Sequence, residues 1–161
     1  MVKAEYRFEI FADYFQFNVQ DELAEGDLSD AWTDEAVEDL LALTGGTIGV
    51  GTVRNMTVPV TVQLLDEAPD ELFISWDRVN ECSIEISSGR LIIVNCIGDN
   101  EAAVRISVAP GWYRARIYYG DLDTLSWNGL EGDDHYQIAL WPTKQSAPPV
   151  RLKPSHPSTI L

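Results

Sequence analysis

The sequence predicts a mainly β protein, an antiparallel β-sandwich of jelly-roll-like type with one short α-helix near the N-terminus. Three observations support this fold class. From Thr47 onward, β-branched runs recur with turn residues between them, as in small sandwich domains. A single stretch, beginning near Thr33, carries apolar residues at helical spacing. The 161 residues, 45% of them apolar, suit one domain with one core.

The first part of the chain shows an apolar alternation that changes phase. Apolar side chains alternate over residues 6–10 and again, shifted by one position, over residues 15–19. This pattern indicates either one long strand with a bulge near Ala12 and Asp13 or two separate strands. Both alternatives remain open on the sequence alone.

A helix of about three turns is predicted to begin at Thr33. The Thr33 hydroxyl can accept a hydrogen bond from an exposed backbone N–H, while Asp34 and Glu35 face the positive end of the helix dipole. Gly45 and Gly46 are expected to end the helix. Its buried stripe would consist of Ala36, Val37, Leu40, Leu41 and Leu43.

Strands separated by turns are predicted for most of the remaining chain. We expect one sandwich domain over residues 1–142 and a Pro-rich, extended C-terminal tail over residues 143–161. The predicted strands cover residues 48–53, 57–65, 72–76, 81–86, 91–97, 102–108, 113–119 and 135–142.

The two cysteines, Cys82 and Cys96, are expected to be reduced thiols. They are too few for a disulfide scaffold and lack zinc-ligand spacing. Both flank an apparent hairpin that turns at residues 88–90. A three-residue loop would place the two thiols opposite each other on one face, and a two-residue loop would place them on opposite faces. We favour the first register because it matches apolar residues with apolar residues.

Negative charge is concentrated in one segment of the chain. Residues 8–53 hold eleven carboxylates and no Lys or Arg, so they contribute −11 of the formal net charge of −15. Such a segment is either a solvated face or a patch that meets a positively charged surface. The candidate partner-binding residues are Asp21, Glu22, Glu25, Asp27, Asp30, Asp34, Glu35, Glu38 and Asp39.

The acidic composition also argues against several partners. Nucleic acids and anionic membranes bind through Lys and Arg, of which the chain has eleven against 26 acidic residues. The N-terminal residues are interrupted by charge, and no apolar run approaches the roughly 18 residues of a membrane span. We therefore expect a soluble, cytoplasmic protein with a basic protein partner, no nucleic-acid or membrane partner and no cofactor.

Residues 121–135 support an alternative function, the binding of a cation or small molecule. Carboxylates and one imidazole can ligate a cation, but their spacing matches neither an EF-hand loop nor a zinc-protease helix. A solvated acidic loop is the simpler interpretation, and no metal ligand is assigned. The residues concerned are Asp121, Asp123, Glu131, Asp133, Asp134 and His135.

A hydrolytic or carbohydrate-active enzyme is the third function considered. A hydrolase nucleophile needs a positioned base, and with His156 in the Pro-rich tail only His135 remains as a candidate. Asp121 and Asp123, or Glu81 and Glu85, could act as an acid and base pair, but spacing alone does not show it. Glu81 and Glu85 alternate with apolar residues and are more simply the solvent-facing side of a strand. We predict no catalytic residues and a non-enzymatic protein.

Four segments of the chain, in this order, resemble the competence protein J family of small bacterial proteins. They are residues 14–21, 32–37, 46–52 and 111–116. Residues 76–85 and 129–136 are also similar to a related, uncharacterised group of small acidic bacterial proteins. The resemblance implies a non-enzymatic inhibitor that binds a nuclease, and no inhibitory motif carries over residue by residue.

The acidic segment and the resemblance lead to one hypothesis. The chain is an acidic binding protein, an inhibitor or immunity-type partner of a basic protein such as a nuclease, whose carboxylates imitate nucleic-acid phosphates.

Overall fold

The computed structural model describes residues 2–95 and 103–153, and this part of the chain forms eleven strands, one α-helix and one 3₁₀ turn. The helix α1 spans Asp34–Asp39, and the 3₁₀ turn spans Asp13–Phe15. In chain order the strands are β1 (Val2–Phe11), β2 (Gln16–Asp21), β3 (Leu41–Thr44), β4 (Thr47–Gly51), β5 (Thr57–Leu65), β6 (Arg78–Ile86), β7 (Arg90–Asn95), β8 (Val104–Ser107), β9 (Gly111–Gly120), β10 (His135–Thr143) and β11 (Val150–Lys153).

The strands form two sheets that pack face to face. Sheet A has the order β1-β5-β10-β9-β6-β11, and sheet B has the order β3-β4-β2-β7-β8. The described pairs are antiparallel except β5 with β10, which run parallel with Val60 opposite Tyr136. The predicted mainly β sandwich with one short helix is confirmed. Its six and five strands exceed the eight of an ordinary jelly roll.

The hydrophobic core lies between the sheets and follows the two-residue alternation of the strands. Phe17 and Val19 of β2 enter it from sheet B, and Ile84 and Tyr136 enter it from sheet A. The rings of Phe17 and Tyr136 meet edge to face with centroids 6.1 Å apart. The alternation visible in the sequence therefore marks the inward faces of these strands.

The first apolar segment forms two strands that belong to different sheets. β1 pairs with β5 in sheet A, whereas β2 pairs with β4 and β7 in sheet B. The 3₁₀ turn between them carries the chain from one sheet to the other. Of the two alternatives left open by the sequence, two separate strands is the correct one.

The start of α1 is confirmed, because the Thr33 hydroxyl oxygen accepts a hydrogen bond from the backbone N–H of Ala36 at 3.2 Å. Its predicted length is wrong. The helix ends at Asp39, and Leu40 adopts a left-handed conformation with φ of 58°. The next four residues continue as β3, so Gly45 and Gly46 turn the chain between β3 and β4 instead of ending a helix.

The predicted helical stripe is wrong for the same reason. β3 pairs with β4, with Leu41 opposite Val50, so its backbone groups are satisfied by a sheet and not by a helix. Val37 is exposed to solvent. A short run of apolar residues is compatible with a helix or a strand, and here pairing with the edge of β4 makes it a strand.

The predicted hairpin around the cysteines is also wrong. β6 pairs with β9 and β11 in sheet A, whereas β7 pairs with β2 and β8 in sheet B. The turn after Ile86 therefore connects the two sheets. Cys82 is a free, buried thiol of the core. Cys96 lies outside the described residues.

Two further strand predictions need correction. Residues 72–76 form part of a loop and not a strand, and Val150–Lys153 form β11 on the edge of sheet A beside β6. The division into a domain at residues 1–142 and a tail at residues 143–161 stays a prediction. Residues 154–161, which include His156, lie outside the described part of the chain.

The outer face of sheet A carries a charged cluster that sequence analysis did not identify. The carboxylate of Glu81 accepts hydrogen bonds from Nε of Arg114 at 2.7 Å and from Nε of Arg116 at 2.9 Å. Both guanidinium groups are almost buried. The interpretation of Glu81 as a solvent-facing residue is therefore wrong, whereas Glu85 is exposed as predicted.

Within the two described ranges, no helix has the length and the apolar character needed to cross a bilayer.

Candidate partner-binding surface

The acidic segment passes over the outer face of sheet B. Leu28 and Trp32 pack against Gly49 of β4, where an added Cβ would lie 2.6 Å from the Leu28 side chain and 2.9 Å from the Trp32 ring. The indole Nε1 of Trp32 donates a hydrogen bond to Oε1 of Gln16 at 2.8 Å. The glycines of β4 thus leave room for the segment, a role that suits their position in the middle of a strand.

Three side chains of sheet A hold the C-terminal end of α1. Arg78 donates to the carbonyl of Glu38, and Asn80 donates to the carbonyl of Asp39 at 2.9 Å. The hydroxyl of Tyr119 donates to the carbonyl of Leu40 at 2.7 Å. Carbonyl groups at the end of a helix have no partner within the helix, so these contacts satisfy them and fix α1 to the body of the protein.

Asp21 and Glu22, two of the nine candidate carboxylates, are held by residues of β7, of β8 and of the turn before β7. Asp21 is buried, and its Oδ1 accepts hydrogen bonds from the N–H and the hydroxyl of Ser88 at 2.9 and 2.6 Å. Glu22 lies 3.0 Å from Nε of Arg90 and 3.5 Å from Nε of Arg105. Asp21 therefore presents no free carboxylate, and the charge of Glu22 is countered.

Glu35 and Asp39 are countered by an arginine that lies more than one hundred residues further along the chain. Arg151 of β11 places its guanidinium 3.1 Å from Glu35 and 3.1 Å from Asp39. The sequence shows no basic residue inside the acidic segment, yet the fold supplies one from sheet A. We call Glu35 and Asp39 the braced pair.

The remaining five candidate carboxylates are exposed. Within residues 2–95 and 103–153, no ion pair to them is found, and we call them the open carboxylates. Hydrogen bonds from the hydroxyl and N–H of Ser29 lower the pKa of Asp27, which favours its charged form. The open carboxylates are Glu25, Asp27, Asp30, Asp34 and Glu38.

Helix geometry separates the open and the braced carboxylates of α1. Residues four apart lie on the same side of a helix, so Asp34 and Glu38 form one row and Glu35 and Asp39 form another. The second row faces Arg151. Val37, one turn after Asp34, lines an apolar groove, and Arg151 is not among the residues that line it.

This apolar groove has a volume of 550 Å³ and lies between the 3₁₀ turn, α1 and the end of β4. Several of its apolar side chains are unusually exposed, with exposed fractions of 72% for Tyr14, 53% for Phe15 and 56% for Val37. Its lining residues are Tyr14, Phe15, Gln16, Trp32, Val37, Leu40, Gly51, Thr52 and Val53.

Backbone strain is concentrated in the groove. In the described part of the chain, four non-glycine residues have positive φ, and three of them line it: Tyr14 at 57°, Phe15 at 61° and Leu40 at 58°. Such conformations cost roughly 1 to 3 kcal/mol each and persist only where the surroundings impose them. The backbone of Phe15 is held by hydrogen bonds to Ala12 and Thr52.

Sequence analysis did not identify the groove as a site. The signal that could have suggested it is the pair Tyr14-Phe15, two aromatic residues at the point where the alternation changes phase. The left-handed backbone at these positions was not visible in the sequence, because aromatic residues rarely adopt it.

The segment from Asp121 to His135 does not gather its acidic residues around a common point. Asp134 is buried and accepts hydrogen bonds from Nε of Arg54 at 2.7 Å and from the hydroxyl of Tyr136 at 2.7 Å. His135 packs beside Trp76, and its Nδ1 lies 3.8 Å from Asp121. Among the described residues, no group of three or more His, Cys, Asp or Glu side chains is arranged to hold a metal ion.

Two solved structures share the fold. The chain matches ComJ from Bacillus subtilis, an inhibitor of the DNA-degrading activity of NucA, with a TM-score of 0.67 and 20% identity over 89% of this chain and 99% of that one. It also matches crocagin biosynthetic gene J with a TM-score of 0.56 and 19% identity over 88% and 97% of the two chains. No protein-family model matches the chain, and no curated protein sequence matches it significantly. The resemblance to the competence protein J family is confirmed, and identities this low show the fold alone.

Proposed function

We propose that this chain is a non-enzymatic inhibitor that binds a DNA-degrading nuclease through the open carboxylates. The observation that carries the proposal is that five carboxylates of one segment stay exposed and without an ion pair in the described residues, while their four neighbours are buried or countered. Retaining like charges close together costs stability, about 1 kcal/mol for two charges 4 Å apart in water. A partner of opposite charge offsets this cost.

The fold match supports an inhibitor in preference to an enzyme. ComJ is described as an inhibitor of a nuclease, and this chain matches 99% of its length. A nuclease that binds DNA phosphates through basic residues offers a surface that carboxylates on another protein can occupy. Such complementarity raises the association rate, toward about 10⁸ M⁻¹s⁻¹ at low ionic strength.

The surface proposed for the partner is smaller than the acidic segment. Asp21, Glu22, Glu35 and Asp39 have internal partners, so they are left out of it. The proposed contact residues are Glu25, Asp27, Asp30, Asp34 and Glu38. We also propose that the protein acts in the cytoplasm, where its thiols stay reduced.

The test is inhibition of a defined nuclease. Purified protein is added to NucA, degradation of DNA is followed, and the association rate is measured at several salt concentrations. We expect inhibition, with an association rate that falls as salt rises because screening acts within about 8 Å at 0.15 M ionic strength. Absence of both binding and inhibition refutes the proposal.

Two double variants locate the surface. Asp34→Asn with Glu38→Gln removes two open carboxylates, and Glu35→Gln with Asp39→Asn removes the braced pair. Each variant removes two negative charges, and each replaces the two carboxylates by polar amides. We expect the first variant to slow association by about tenfold at low salt and the second to have a smaller effect. Equal effects would mean that net charge alone matters and that the surface is assigned incorrectly.

A further inference from the structure

The apolar groove beside α1 exposes large apolar side chains to solvent. Tyr14, Phe15 and Val37 each leave more than half of their surface in water. The backbone around them is nevertheless held firmly, since Phe15 bonds to Ala12 and Thr52 and Leu40 bonds to Gly51 and Tyr119. The groove is therefore a fixed feature of the folded protein. Exposed apolar side chains on a rigid backbone are typical of binding surfaces.

The contact between Leu40 and Gly51 shows how closely the groove is built. A Cβ added at Gly51 would lie 2.9 Å from Cα and 3.0 Å from Cδ2 of Leu40. Leu40 keeps its left-handed backbone because its N–H donates to the carbonyls of Ala36 and Val37 while its own carbonyl accepts two hydrogen bonds. The glycine and the cap of α1 together set the position of the groove.

The charge around the groove indicates what can fill it. None of the described residues that line it is Lys or Arg, and the nearby Arg54 is paired with the buried carboxylate of Asp134. Asp34 lies one turn from Val37, and Asp13 comes directly before Tyr14. A second copy of this chain would bring like charges together, whereas a basic protein would bring opposite ones.

We infer that this groove is the anchor site for the partner proposed above, and that it receives an apolar side chain flanked by Lys or Arg. The inference rests on the proposed function and adds a division of roles to it. The open carboxylates attract the partner and govern association. The groove buries an anchor residue and governs dissociation, as buried contacts at the centre of an interface do.

The first experiment uses NucA as the probe. Phe15→Ala and Val37→Ala are compared with Ile74→Ala and Trp127→Ala, which truncate side chains that are 97% and 96% exposed outside the groove. We expect each groove variant to raise the dissociation rate at least tenfold, or about 1.4 kcal/mol, with little change in the salt dependence of association. The control variants should leave both rates unchanged. If NucA binds the groove variants as tightly as it binds the wild-type protein, the inference is overturned and the proposed function stands.

The second experiment does not depend on NucA. The peptides Lys-Lys-Trp-Lys-Lys and Lys-Lys-Ala-Lys-Lys are titrated into the labelled protein and followed by NMR. We expect the Trp peptide to shift the amide signals of Phe15, Val37 and Leu40, and Phe15→Ala to remove at least half of the shift. If NucA does not bind but the Trp peptide does, the proposed function fails and the groove stands.

Two further results of these experiments overturn the inference. Equal shifts from both peptides would show that charge alone brings them to the surface. A concentration-dependent dimer that Phe15→Ala dissociates would show that a second copy of the chain occupies the groove. Thermal unfolding of each variant, measured in parallel, ensures that the binding data refer to folded protein.

Discussion

Removing the carboxylate of Glu81 should destabilise the protein strongly, although Glu81 is not one of the proposed contact residues. Its two oxygens are hydrogen-bonded to Arg114 and Arg116, whose side chains are only 8% and 4% exposed. In Glu81→Ala both guanidinium groups lose their counter-charge inside the protein. Breaking a buried ion pair by removing one partner costs about 3 to 5 kcal/mol.

The two arginines also have other hydrogen-bond acceptors, so we expect a loss in the lower part of that range. Arg114 also donates to the carbonyls of Ala147 and Pro148, both at 2.8 Å, and Arg116 donates to the carbonyl of Pro69 at 3.1 Å. These acceptors remain in the variant, but they carry no full charge. We therefore expect a loss of about 3 kcal/mol, or a melting temperature about 6 to 12 °C lower for a chain of this size.

Urea unfolding with linear extrapolation measures this loss, and Glu85→Ala is the matched control. Glu85 is an exposed carboxylate on the same strand, so its removal should change the free energy of unfolding by less than about 0.5 kcal/mol. If Glu81→Ala costs less than about 1 kcal/mol, the carbonyl acceptors suffice and the cluster is not an important source of stability. The reasoning from its burial would then be wrong.

Three further predictions concern the fold. Gly51→Ala should cost about 1 to 3 kcal/mol in thermal unfolding, because the added methyl group meets the backbone of Leu40, and a neutral result would mean that α1 moves freely. Asp134→Asn should cost about 3 kcal/mol with or without added calcium, because it leaves Arg54 without a buried counter-charge; restoration of stability by calcium would contradict this. Burial raises the pKa of Cys82 from 9.0 to about 12, so its thiol should resist alkylation until the protein unfolds. Below pH 9 this thiol is neutral in both states; above it the unfolded chain ionises first, so the free energy of unfolding should fall by about 1.4 kcal/mol per pH unit up to about pH 12. If Cys82→Ala leaves the slope of stability against pH unchanged, the fall does not come from the Cys82 thiol.

Local features of the fold were predictable from the sequence. The cap at Thr33 and the strand at Thr57–Leu65 depend on residues that are near neighbours in the chain, and both were predicted with the correct positions. The same holds for the inward face of β2, where Phe17 and Val19 alternate with polar residues. Such patterns are local, so a sequence displays them directly.

The candidate site was predictable in part. The accumulation of carboxylates without Lys or Arg was visible, but which of them remain open depends on distant residues. Arg151 counters Glu35 and Asp39 because β11 lies beside β6, a pairing that no local pattern announces. The groove likewise requires the 3₁₀ turn, α1 and β4 to meet.

The sequence by itself determined the sandwich class, the alternation of its strands, the start of α1 and the region of excess negative charge. The tertiary structure alone decided that Leu41–Thr44 is a strand, that β6 and β7 belong to different sheets, and that Glu81 is enclosed by arginines. The physical reason is that propensity and capping act between near neighbours, whereas strand pairing, burial and ion pairing are settled by which surfaces the whole chain brings together.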